Sequence, residues 1–358
     1  MNQRGGGERV FAHIARAFPE APIYTALFDP AATGDLVDPA RVRVSPLQRV
    51  PFAGRAFRYF APLYPAIFEA FDLSAYDLIV SSTTAWAKGV RFRPDAVHVA
   101  YINTVSRFAF AYDSYVGGFG LSALARPFVE RLVAWDKRAA ARPTAYVANS
   151  NNVAQRVRRY YGRTPRVAHC PVDLDRFSVG DGLGGYFLVV SRLLSYKRVD
   201  LAIAACALAN VPLKIVGAGP AERALKAAAA GTGTEFLGAL SDEELRDVMG
   251  RARAVILPGE EDYGLVPLEA NASGRPAIAY GAGGALETIL PGVTGEFFDE
   301  PTAQSLASAL ADFQMRRYDP AVLCAHAAAF SPAIFTERLR ALVAEAVRLG
   351  PGVRDFAQ

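Results

Sequence analysis

Ala254-Val255-Ile256-Leu257-Pro258-Gly259-Glu260-Glu261-Asp262-Tyr263-Gly264-Leu265-Val266-Pro267-Leu268-Glu269 reads as a short apolar run, a turn on Pro258 and Gly259, and the opening of a helix. The four apolar residues suit a strand buried on both faces, as parallel sheets require. Gly264 lets the backbone approach a ligand, and the helix start after it offers unpaired N–H groups and a partial positive end to an anion. Glu269 lies inside that helix, where its carboxylate can accept hydrogen bonds from hydroxyls while the amides hold the anion. Taken singly, Glu261 and Glu269 are as readily solvated charges near a helix start.

The same grammar recurs in both directions. Apolar runs ending in Ser, Asn or Gly, each followed by a longer helical pattern, predict strands near Ile23-Phe28, Leu78-Ser81, Val97-Ile102, Ala145-Ala148 and Val167-Cys170. A second set falls at Phe187-Val190, Leu213-Val216, Glu235-Leu237, Ala254-Leu257, Ala277-Ala279 and Glu296-Phe298. Strands alternating with helices around parallel sheets make the chain α/β throughout. Pro171 to Phe177 and the loose run Ser178 to Gly185 separate the sets, so a first domain is drawn over 1–177 and a second over 178–331. Residues 332–350, helical from Pro332 to Leu349, are expected to cross back and brace the first domain. Only Met1 to Arg4 precede Gly5-Gly6-Gly7-Glu8-Arg9, so the buried strand that normally delivers a first glycine loop is missing, and a start upstream is the preferred explanation.

A chain of 358 residues exceeds the size at which one core usually stops growing, and 52% hydrophobic with 21% charged residues describes a well-packed globular protein. A formal charge of +4 with dispersed basic residues gives no nucleic-acid footprint. Cys170, Cys206 and Cys324 are far apart and form no CxxC, which suggests neither a zinc site nor a disulfide framework and fits a reducing cytoplasm. No segment approaches the ~18 apolar residues of a spanning helix. From Arg49 to Phe71, however, Arg55 and Arg58 interleave with Phe52, Phe57, Tyr59, Phe60, Tyr64, Phe68 and Phe71 in the manner of a membrane-surface helix. Core packing with a few solvated arginines is the plainer account and is preferred.

Arg192 ends the strand Phe187-Val190, and Lys197 follows in Ser191-Arg192-Leu193-Leu194-Ser195-Tyr196-Lys197. Two cations beyond the carboxyl end of a parallel strand sit where such sheets bind ligands, and they would neutralise a diphosphate leaving group. Glu261 and Glu269 add a Glu-x7-Glu spacing. Asn149-Ser150, Gly217-Ala218-Gly219-Pro220 and Gly281-Ala282-Gly283-Gly284-Ala285-Leu286-Glu287 stand after further strands; each alone is as well a turn or a cap.

Together and in this order, these residues resemble the retaining GT-B glycosyltransferases of family 4, over nearly the whole chain. The resemblance implies two Rossmann-like domains facing a central cleft. It implies transfer of a hexose, with a lean towards mannose, from a nucleotide-diphosphate sugar (GDP-mannose or a UDP-sugar) to a glycan or polyprenyl-linked acceptor in surface polysaccharide synthesis. On the same ground Glu261 contacts the transferred sugar, Glu269 the ribose hydroxyls, and Arg192 with Lys197 the diphosphate. Gly217, Gly264 and Leu265 contribute from the donor side, and Gly6 and Gly7 from the first glycine loop. No cofactor and no metal are expected, and the place implied is cytoplasmic, at the inner face of the membrane or free of it.

Mannosyltransferase-like members carry His-Thr-Pro-x-Arg after the strand ending near Ile102, where this chain has Asn103-Thr104-Val105-Ser106-Arg107. Asn103 can donate and accept hydrogen bonds but cannot be protonated near neutral pH. The alternative reading is therefore a non-catalytic sugar-nucleotide-binding subunit of a polysaccharide assembly complex. His13, His98, His169 and His326 have no carboxylate or nucleophile at a motif distance and are assigned no catalytic role. Asp173-Leu174-Asp175 falls at the domain junction and implies no metal, and Gly217-Ala218-Gly219 lacks the third glycine of a dinucleotide fingerprint.

Overall fold

The computed structural model describes residues 1–3, 5–106, 122–180 and 184–356, so Arg4, Arg107 and the middle of the run Ser178 to Gly185 lie outside the described residues. The chain divides into two compact units, Met1–Cys170 with Phe335–Gln358, and Pro171–Ile334. The division stands ahead of Phe177 because the segment before it is built into the second unit. Phe177 is buried with Leu188, Val216 and Met249, and Arg176 Nη2 lies 2.8 Å from Asp242 Oδ1.

In the first unit, β1 (Ile23–Thr25) and β2 (Val42–Val44) pair in parallel as a sheet of their own. A four-stranded parallel sheet runs β3 (Leu78–Thr83), β4 (Val97–Ile102), β5 (Ala145–Ala148), β6 (Arg166–Val167). All six residues of β4 and all four of β5 are buried, as strands covered on both faces must be. At about 1.5–3 kcal/mol for each fully buried large apolar side chain, these strands anchor the unit. Among the described residues the first element is the helix Gly6–Ala17, and no strand joins the β1–β2 pair to β3. No apolar pattern announces β2, since Val42-Arg43-Val44 is too short to show a period. The strand expected over Val167-Cys170 is displaced to Arg166–Val167.

The last helix, Pro332–Leu349, straddles the division between units. Phe335, Leu339, Leu342, Val343 and Ala346 are its buried side chains. Phe335 meets Tyr101 of β4 edge-to-face at 5.7 Å, and Arg340 Nε donates to Ala17 O at 2.8 Å. Beyond it, both carboxylate oxygens of Asp355 accept from Arg163 Nε at 3.0 Å, tying the end of the chain to residues before it by nearly two hundred positions.

A buried polar cluster sits beyond the carboxyl ends of β3 and β4. Lys88 is 1% exposed and Asp136 0%, with Lys88 Nζ 2.5 Å from Asp136 Oδ1. Ser106 Oγ donates to the same oxygen at 2.5 Å, and Tyr161 OH to the other at 2.9 Å. Burial pushes the Lys88 ammonium below its ordinary pKa, against the pull of Asp136.

The second unit carries one six-stranded parallel sheet built from β7 (Phe187–Val190), β8 (Leu213–Val216), β9 (Thr234–Gly238), β10 (Val255–Leu257), β11 (Ala277–Tyr280) and β12 (Gly295–Phe298), in the order β12-β11-β10-β7-β8-β9. Phe187 and Val189 point into a cluster with the helix Val199–Leu208, while Leu188 between them points into the opposite layer with Val255 and Met249. That alternation is the period of two, and both faces are covered. The chain leaves β7 in one direction to β8 and β9, then returns to its other side at β10. The strand order therefore reverses between β7 and β10, the crevice where doubly wound sheets take their ligands.

Candidate active site

Four loops leave the carboxyl ends of β7, β8, β10 and β11, and glycines let them interlock. Leu193 N donates to Ala218 O at 3.1 Å and Ala221 N to Leu193 O at 3.0 Å, lacing the first loop to the second. A Cβ on Gly217 would lie 1.9 Å from Ser191 O and one on Gly219 2.4 Å from Leu193 O, so this closeness requires glycine. Gly217 also has φ +127°, a conformation that side chains avoid. A Cβ on Gly259 would approach Tyr196 O at 2.9 Å, which sets the loop after β10 against the turn Ser195–Lys197. The loop after β11 closes the row: Gly284 N donates to Glu261 O at 2.8 Å, and Glu261 bridges Gly283.

Gly284 has an ordinary φ of −71°, so glycine is needed there for space alone. A Cβ would stand 2.3 Å from Tyr263 Cα and O. Gly284→Ala is expected to cost about 1–3 kcal/mol, the usual range for overpacking, and, on the donor role that the resemblance implies for this loop, to weaken nucleoside diphosphate binding by displacing residues 261–264. Thermal melts with titration calorimetry check both.

Within this frame Lys197 Nζ bonds Glu261 Oε1, two largely buried side chains in one ion pair. Arg192, at the end of β7, is exposed and among the described residues has no ion-pair partner. Gly264, at φ +85°, caps the helix Leu265–Ala272, and no side chain caps that end. The amides of Leu265 and its neighbours therefore remain donors at the positive end of the helix. Glu269, on the same helix, has Oε1 at 3.6 Å from Arg176 Nη1. Arg176 was not singled out in the sequence. It lies in the connecting segment, and no local spacing signals a partner so far along the chain. Its Nε is buried without a hydrogen-bond partner, while its ring-stacked guanidinium lies 5.0 Å from the Phe177 centroid.

The first unit carries the other sequence-marked residues. Asn103 follows β4 and is tied on both sides: its N–H donates to Thr83 O at 2.9 Å, its Nδ2 to Ser82 Oγ at 3.1 Å, and its carbonyl accepts from Asn149 Nδ2 at 3.0 Å. Gly6 and Gly7 stand in the first turn of the helix Gly6–Ala17 rather than in an open loop. Among the described residues a Cβ on Gly7 would meet nothing within 4 Å, so none of them demands glycine there. His98 is fully buried, bonded to Ser81 Oγ at 2.8 Å, with its pKa pushed down by burial to about 3. His326 Nε2 is 3.1 Å from Thr288 O. Among the described residues no cluster of His, Cys, Asp and Glu side chains is arranged to hold a metal ion.

Residues 180–317 match the family model described as "Glycosyl transferases group 1", and residues 4–176 the one described as "Glycosyltransferase Family 4". The D-inositol 3-phosphate glycosyltransferase of Geodermatophilus obscurus is 27% identical over 365 aligned residues, covering 87% of this chain and 78% of that one. The GDP-mannose-dependent α-(1-6)-phosphatidylinositol monomannoside mannosyltransferase of Mycolicibacterium smegmatis is 30% identical over 205 residues, 46% of this chain and 54% of the relative. Among solved structures, sucrose-phosphate synthase from Thermosynechococcus elongatus superposes with a TM-score of 0.69 at 19% identity, covering 95% of this chain and 92% of that one. Anabaena HepE in complex with UDP does so at 0.68 and 18% identity, covering 96% and 97%. These likenesses give the fold, which is GT-B.

Proposed function

Because the chain belongs to the family 4 glycosyltransferases of GT-B fold, we propose that it moves a hexose, with a lean to mannose, from a nucleotide-diphosphate sugar to a glycan or lipid-linked acceptor in surface polysaccharide synthesis, with retention of anomeric configuration. The observation that carries the donor half is the Lys197–Glu261 pair, set with Arg192 and the uncapped helix start at Gly264 where the strand order reverses. Cations and helix amides suit a diphosphate. A carboxylate held by one of those cations suits sugar hydroxyls. The GDP-mannose dependence named for the mycobacterial relative supports the lean, and the UDP in HepE keeps uridine donors in the set to be tested.

In the reaction proposed, the acceptor hydroxyl oxygen bonds to the anomeric carbon as the bond from that carbon to the diphosphate oxygen breaks. The leaving phosphate takes the acceptor's proton, and Arg192 with Lys197 balances its growing charge. Gly6, Gly7 and Asn103 keep only the parts that the family resemblance implies for them, and no cofactor or metal is called on. A panel of nucleotide sugars, scored by thermal shift and by product mass, tests the reading. A shift with GDP-mannose or a UDP-hexose together with a glycosylated product supports it, and no shift with any donor overturns it. Asn103, whose Nδ2 is already given to Ser82, favours one rival, a subunit that binds the donor without turnover. A shift without transfer or donor hydrolysis is that rival's signature.

A further inference from the structure

Arg176 belongs to the segment that opens the second unit, and its backbone is fixed on both sides. Its N–H donates to Asp173 O at 3.1 Å in the turn Leu174–Arg176, and its carbonyl accepts from Arg246 Nε at 2.7 Å. Arg246 Nη2 also donates to Asp175 O at 3.2 Å, and Phe177, next in the chain, is buried. The segment is thus anchored to the helix Asp242–Gly250 without help from the Arg176 side chain.

That side chain bridges two helices instead. Nη2 lies 2.8 Å from Asp242 Oδ1, in the first turn of Asp242–Gly250, and Nη1 lies 3.6 Å from Glu269 Oε1, on Leu265–Ala272. Arg176 and Glu269 are each 16% exposed, so solvent screens their attraction only in part. The Phe177 ring backs the guanidinium. Folding does not ask for this placement, because it leaves Arg176 Nε buried with no hydrogen-bond partner among the described residues, which is costly. A rigid planar fork gripped by Asp242 on one arm and backed by a ring keeps its other arm aimed at Glu269.

At 3.6 Å the Glu269 contact is an ion pair longer than a hydrogen bond. It orients the carboxylate by charge and does not itself occupy one of the four acceptor positions a carboxylate offers. A glutamate held in this way has less rotamer freedom to lose when a ligand arrives.

We propose that Arg176 is a positioning residue for the donor: braced on Asp242 and Phe177, it holds the Glu269 carboxylate in the orientation that receives the ribose 2′- and 3′-hydroxyls. This rests on the ribose role that the family resemblance implies for Glu269, and Arg176 acts through that carboxylate.

Titration calorimetry of the full chain with UDP and GDP, each beside its 2′,3′-dideoxy counterpart, is the test. The parent is expected to prefer the ribonucleotide by about tenfold or more, the usual loss when hydrogen bonds to a charged group are removed. Arg176→Met keeps an apolar stem over Phe177 and removes the charge. It should weaken the ribonucleotide about tenfold and change the dideoxynucleotide by less than about twofold, so that the preference collapses. Asp242→Asn releases the brace from a more exposed carboxylate and keeps the Ser241–Glu244 capping box, and it should lower the preference about threefold. A parent that binds neither diphosphate, or binds ribo- and dideoxynucleotides alike, overturns the ribose role of Glu269 and this proposal with it. A parent with the preference and an Arg176→Met variant that keeps it overturn this proposal alone. Equal loss for both ligands in Arg176→Met marks a structural arginine and overturns it as well. If Arg176→Met does not fold, Asp242→Asn decides, and an unchanged preference there overturns the proposal.

Discussion

Lys197→Ala is expected to lower the rate of sugar transfer by about 10²–10³-fold, roughly 3–4 kcal/mol of barrier, the usual loss when one stabiliser of a developing oxyanion is removed. The side chain has two tasks in the geometry. It presents a cation at the crevice between β7 and β10, and it holds the carboxylate of Glu261. Truncation removes the charge proposed to balance the leaving phosphate and also takes Lys197 away from the largely buried Glu261. Glu261→Ala alone is expected to cost a similar factor. The double variant K197A/E261A should cost much less than the product of the two singles, because groups acting as one unit are not additive. Steady-state transfer kinetics on the three variants decide the point: strict multiplication would mean two independent groups, and transfer at the parent rate in K197A would remove Lys197 from the diphosphate site.

Asp136→Ala is expected to destabilise the protein by about 3–5 kcal/mol, the range for breaking a buried ion pair from one side. The cost comes from Lys88. Its ammonium keeps Ser106 Oγ at 3.2 Å and the Ala85 carbonyl as neighbours but loses the Asp136 carboxylate. Ser106 and Tyr161 lose an acceptor at the same time. In this variant the folded pKa of Lys88 falls further below its unfolded value, so the unfolded chain binds the more protons and stability should rise as pH rises towards the unfolded lysine pKa. Denaturant melts across alkaline pH read that slope. K88M/D136L should recover a large part of the loss, since an apolar pair of similar volume carries no stranded charge. A D136A protein as stable as the parent at neutral pH would show the pair to be solvated.

The parts of the molecule that were plain in the sequence share one physical property. β4, β5, β7 and β8 begin and end where their largely apolar runs do, because a strand covered on both faces is apolar at most positions; His98 in β4 and Lys214 in β8 are the exceptions. β2 is largely exposed, three residues long and centred on an arginine, so no periodicity announces it. Lys197 and Glu261 were each marked in the sequence, after β7 and β10, but on different parts of the donor, and their ion pair was not anticipated. Arg176 beside Glu269 could not be anticipated either, nor Lys88 beside Asp136, since each joins segments with no sequence relation and neither pair belongs to a motif. Glycines were legible as glycines but not as to cause. Gly217 and Gly284 answer to backbones of neighbouring loops at about 2 Å from a would-be Cβ, whereas Gly7 answers to none of the described residues.

The helix Pro332–Leu349 gives the polypeptide an unusual schedule during synthesis. The second unit, Pro171–Ile334, is continuous and can close as soon as it has emerged. The first unit lacks Phe335, Leu339 and Leu342, and the Asp355 clasp on Arg163, until the final stretch is made. A ribosome stalled shortly before residue 335 would thus display a finished second unit joined to a first unit whose apolar surface around Tyr101 is still bare. The half that is translated first is completed last, and it is the half a chaperone would have to guard.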